Sequence, residues 1–93
     1  MADELVIGTI VRVDEHPGAR APSLLLTVDL GTHGTEEAVL SSGAYDPGEL
    51  EGSQVVCKRE QSGLALVGAH SHAKGLVLLR PRSEVEPGTL VSW

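Results

Sequence analysis

From Val6 to Val13 the chain reads Val-Ile-Gly-Thr-Ile-Val-Arg-Val, a β-branched run whose two-residue alternation predicts a first strand with Ile7, Val11 and Val13 on one face. The segment Asp14 to Pro22 carries two prolines and a glycine, which break any ladder and predict a loop. Leu24, Leu26, Val28 and Leu30 then alternate with Leu25, Thr27 and Asp29 until Gly31 stops the run, as a half-buried second strand does. After a polar turn over Thr32 to Thr35, the stretch Glu36 to Ser42 predicts a third strand around Ala38, Val39 and Leu40. Asp46 to Gly52 reads as one helical turn: Asp46 caps, Pro47 suits the first helical position and Gly52 terminates. Gln54 to Lys58, Gly63 to Val67 and Leu76 to Arg80 are further strand candidates, separated by Arg59 to Ser62 and by Gly68 to Gly75. Thr89 to Trp93 follows the Pro87-Gly88 turn and is placed to pair with an edge. Short strands separated by turn signals, with no long amphipathic helix, predict an all-β barrel or sandwich. A short helix after the third strand is compatible with a five-stranded Greek-key barrel.

Ninety-three residues predict one domain spanning 1–93. With no Phe, one Trp and one Tyr, the core has to be filled by valine and leucine. A chain this short buries only about 60 to 65% of its unfolded surface, so a bound partner would add useful stability. Cys57 is the sole cysteine and has no disulfide partner. With an acidic N-terminus and no apolar run near the roughly 20 residues that span a bilayer, the chain reads as cytoplasmic, without a membrane partner. The formal charge of −6 repels phosphate at long range and opposes non-specific nucleic-acid binding. A salt-loving or GC-rich source would leave the same acidic bias.

Several segments resemble a known family. Val6-Ile7-Gly8-Thr9-Ile10-Val11, then His16-Pro17-Gly18-Ala19-Arg20, then Val28-Asp29-Leu30-Gly31, is similar to the start of the tRNA-binding domains that occur fused to some aminoacyl-tRNA synthetases and alone. Ala19-Arg20-Ala21-Pro22 and the segment Tyr45 to Val56, with its Tyr-x-Pro-x-x-Leu-x-Gly-x-x-Val-Val pattern, look more like the CsaA-like export-chaperone branch. Near the end, Val77 to Pro81 and Val85 to Thr89 resemble the closing strand and turn of that family. The resemblance covers nearly the whole chain and implies an all-β, five-stranded Greek-key OB-fold barrel with one short helical turn between strands. It departs from the family pattern after Cys57, where Lys58-Arg59 stands in place of a longer basic loop, and at Gln61-Ser62-Gly63-Leu64, where the family has Ser-x-Gly-Met.

On this resemblance the first expectation is a non-catalytic module for structured RNA, with tRNA as its partner. The alternative is a chaperone or protein-interaction module that takes extended segments of unfolded or export-bound polypeptide. Both are expected as homodimers, although the family's N-terminal pairing extension is largely absent. A third reading is a subunit of a larger assembly anchored by Trp93. RNA binding needs cations, flat rings and small polar groups near the barrel face. The candidates are therefore Arg20, Ser41, Ser42, Tyr45, Lys58, Arg59, Gln61 and Ser62. Tyr45 is more readily a core plug than a stacking platform, and the serines are common turn formers. No cofactor is expected, and His70 and His72 alone are too few for zinc. No nucleophile elbow, phosphate loop or His-Glu-x-x-His motif is present, so no enzyme is expected. Cys57, inside an apolar strand, reads as a small buried hydrophobe.

Overall fold

The computed structural model describes residues 4–15, 23–40 and 45–92. Its strands are β1 (Glu4–Glu15), β2 (Leu24–Asp29), β3 (Thr35–Leu40), β4 (Gln54–Glu60), β5 (Gly63–Leu66), β6 (Gly68–Ser71) and β7 (Gly75–Leu78), with helix α1 (Pro47–Leu50) between β3 and β4. The first five form one antiparallel sheet in the order β3-β2-β1-β4-β5. Because β3 also lies beside β5, the sheet curls into a nearly closed barrel, and the OB-fold-type architecture expected from the sequence is the one observed. Among the described residues no helix is long and apolar enough to cross a membrane.

The long strand β1 organises the barrel by serving two neighbours. Glu4–Thr9 pairs with β4, and Thr9–Glu15 pairs with β2. A bulge interrupts the second ladder: Ile10 faces Val28 and Arg12 faces Thr27, leaving Val11 as the extra residue. An inserted residue shifts the alternation by one and bends the strand. Val6 and Ile10 are therefore fully buried before the bulge, whereas Val13 packs on the core after it and Val11 is 46% exposed. The predicted common face of Ile7, Val11 and Val13 is thus incorrect. It assumed an unbroken period of two, and the bulge resets that period.

The interior is aliphatic. Leu24, Leu26, Val28 and Leu30 from the β2 segment meet Val6, Ile10, Leu40, Val55, Cys57 and Leu78. Strand β1 fits closely there because Gly8 has no Cβ; one added at that position would run into the Val28 side chain. Leu50 of α1 plugs the barrel mouth where β4 begins. The helix starts as its residues require, with Asp46 accepting the Gly48 N–H at 3.1 Å and Pro47 in the first turn. Its exit is tied to the bulge region of β1, because the Gly52 N–H donates to the Ile10 carbonyl at 2.7 Å.

The rest of the chain braces the barrel. β6 and β7 form a separate hairpin, so the predicted connection from Gly68 to Gly75 contains a strand. Gly-Ala-His-Ser lacks both β-branched residues and apolar alternation, and it is extended only because β7 supplies the pairing. After β7, Leu79 bonds to both Val56 and Val67. The terminal segment runs beside the part of β1 that β2 does not cover, with bonds between Ile7 and both Gly88 and Thr89 and between Leu5 and Val91. The pairing expected for the segment from Thr89 is thus found, through a bridge between Val6 and Leu90.

Candidate functional site

The barrel is incomplete on one side. Among the described residues β3 is hydrogen-bonded only to β2 and β5 only to β4, so the two are adjacent without sharing a ladder. Between them lies an open groove of about 530 Å³. Val39, Leu64, Leu66 and Leu76 give it apolar walls, and Glu37 and Glu60 place carboxylates along it. Val39 is 48% exposed there, on the outward phase of β3 between the buried Ala38 and Leu40.

The sequence candidates are distributed unevenly around this groove. Ser62 lines it, and Gln61 sits beside it at the tip of the β4–β5 hairpin, exposed. Lys58 lies half-buried on β4, facing Leu5 of β1 on one side and Ala65 of β5 on the other. Arg59 is held among carboxylates. It follows Cys57 by two residues and so shares that strand's inward phase, as Glu4 does with Val6 and Glu36 with Ala38. At this mouth of the barrel its guanidinium is 3.2 Å from Glu4 and 3.7 Å from Glu36, and it is 3.2 Å from Nδ1 of His33. Exposed pairs of this sort contribute at most about 1 kcal/mol each, but they leave Arg59 occupied by the protein's own carboxylates.

Tyr45 packs against the core, and its hydroxyl accepts the Leu78 N–H at 2.9 Å. The bond pins the ring between α1 and β7, which is the core-plug role. Arg20, Ser41 and Ser42 lie outside the described residues, as does Trp93. His70 is exposed on β6 and His72 on the following turn; among the described residues no three His, Cys, Asp or Glu side chains converge as a metal site would require.

Cys57 is fully buried, and burial pushes its thiol up from 9.0 to about 11, against a smaller opposing pull from the Gly8 backbone. It is a packing group, as its apolar neighbours in the sequence suggest. The groove walls were missed in the sequence, although Ala38-Val39-Leu40 carries the signal: three consecutive apolar residues on a strand force one of them outward.

No protein-family model matches the chain, and no curated protein matches it significantly. Solved structures do. The chain is similar to the chaperone CsaA from Bacillus anthracis at 28% identity and a TM-score of 0.86, covering 97% of this chain and 91% of that one. It is similar in fold to the CsaA chaperone protein from Picrophilus torridus, at 22% identity and a TM-score of 0.86, with 97% and 92% covered. A MetRS-related protein from Pyrococcus horikoshii shares the fold at 19% identity and a TM-score of 0.74, with 97% and 90% covered. These likenesses place the chain among small binding modules built on this barrel.

Proposed function

We propose that the protein is a non-catalytic, CsaA-like chaperone module that holds an extended polypeptide segment in the groove between β3 and β5. The observation that carries this reading is the open, apolar and carboxylate-bearing groove along β3 and β5. An extended segment lies along this groove, over the sheet rather than within it. The segment's apolar side chains meet Val39, Leu64 and Leu66, and its lysines or arginines meet Glu37 and Glu60. The client chemistry is therefore an unfolded stretch that alternates apolar and basic residues. The similarity to a CsaA chaperone at 28% identity supports the same reading.

The geometry favours polypeptide over structured RNA, because Arg59 is engaged by Glu4 and Glu36 and Tyr45 is pinned by Leu78. Titration of a labelled synthetic peptide alternating leucine and lysine tests the proposal. Saturable binding is expected, weakened roughly tenfold by Val39→Lys, which removes about 1.5 kcal/mol of apolar contact and adds a repelling charge without touching the core. Absence of peptide binding, or an affinity indifferent to Val39→Lys, refutes it. So does salt-dependent binding of tRNA by a chain that ignores the peptide.

A further inference from the structure

The segment from Leu79 to Val85 is braced at both ends. At its start the Leu79 N–H donates to the Val67 carbonyl at 3.0 Å, and the Leu79 carbonyl accepts the Val56 N–H at 2.9 Å. At its end the Val85 N–H donates to Gln54 Oε1 at 3.0 Å, while Gln54 Nε2 donates to the Val85 carbonyl at 2.6 Å. Pro81 restricts the backbone between these anchors. Arg80 and Arg82 are thus presented on a fixed span, and between that span and the start of β4 lies a polar cavity of about 210 Å³. Ser53, Ser83 and Glu84 also line it.

The two arginines are unlike the other arginines described. Arg12 is paired with Asp14 at 2.8 Å, and Arg59 with Glu4 and Glu36. Among the described residues Arg80 and Arg82 have no ion-pair partner, although the chain carries nearly twice as many acidic as basic residues. The lining carries two guanidiniums against the single carboxylate of Glu84, a net positive charge that attracts an anion. Guanidinium forks match phosphate oxygens in pairs, and the Ser83 hydroxyl adds a donor. Arg80 also lines an adjoining, partly open cavity of about 70 Å³ whose walls include Leu50, Val55 and Leu78 beside Glu49 and Ser53, so a small apolar group attached to the phosphate has a surface to lie against.

We infer that Arg80 and Arg82 form a binding site for a small phosphate monoester. The net charge of −6 opposes a polyanion at long range, so a ligand carrying one phosphate is favoured over a nucleic-acid backbone. The site shares no lining residue with the β3–β5 groove and stands independently of the peptide reading.

Amide chemical-shift titration with phenyl phosphate and with inorganic phosphate tests it, with chloride at matched ionic strength as the control. Saturable shifts are expected at Gly52, Ser53 and Ser83, stronger at neutral pH than below about pH 6, where the phosphate takes up a proton. Arg80→Gln with Arg82→Gln should weaken binding at least roughly tenfold. Both side chains are exposed, so an unchanged melting curve verifies that this double variant is folded. Shifts that fail to saturate, that chloride reproduces, or that persist in the folded double variant overturn the site. A short single-stranded RNA that shifts the same amides at lower concentration than phenyl phosphate overturns the monoester assignment.

Discussion

Cys57 shows how a residue with reactive chemistry becomes inert through its surroundings. Its side chain is wholly enclosed by the aliphatic core, and the buried thiol holds its proton up to about pH 11. In the unfolded chain the same group ionises near 9.0. The neutral thiol's contribution to stability is therefore complete below about pH 9 and is lost as pH rises toward 11, because between these values the unfolded state has released a proton that the folded state retains. The expected loss over that span is about 2 to 3 kcal/mol at most. Urea denaturation at pH 8 and at pH 10.5 measures it: the native chain should lose more stability than Cys57→Ala, which has no thiol to ionise. Equal losses in the two proteins would show that the thiol is not held neutral. Arg59 illustrates the complementary case, a cation whose neighbours in sequence suggest a ligand contact and whose neighbours in space are two carboxylates.

At the level of elements, local residue chemistry made much of the structure readable. The alternation from Leu24 to Leu30, the Asp46-Pro47 helix start and the β-branched run of β1 each dictate a conformation without help from distant residues. What escaped the sequence depends on pairing. The bulge at Val11 arises where β1 passes from one neighbour to the other, and β6 is a strand only because β7 lies against it. The same holds for the candidate sites. Their residue types are visible, but whether an arginine is paired depends on Glu4 and Glu36 arriving from separate strands. Gln54 shows how one buried side chain organises a distant segment. It is 8% exposed and bonds to Thr9 of β1 and to both main-chain polar groups of Val85. Gln54→Leu keeps the bulk and removes these bonds, so it should cost about 1 to 3 kcal/mol and loosen the segment it anchors. Trypsin cleavage after Arg82 is expected to accelerate along with a lower denaturation midpoint. A proteolysis rate equal to that of the native protein would mean that other contacts hold the segment.

The whole molecule has an order set by closure. α1 seals one mouth of the barrel with Leu50, and the Arg59 cluster lies at the opposite end of β4. The terminal segment covers the part of β1 that β2 leaves bare. Among the described residues the side between β3 and β5 has no ladder. A small barrel with a limited core gains stability from anything that binds its folded form alone, and a segment seated on the groove buries apolar surface. The most direct test is amide hydrogen exchange with and without the leucine-lysine peptide. The account predicts slowed exchange in Thr35–Leu40 and Gly63–Leu66, the two strands that line the groove. Exchange that is unchanged in both strands, or slowed only elsewhere on the barrel while the peptide is bound, would contradict it.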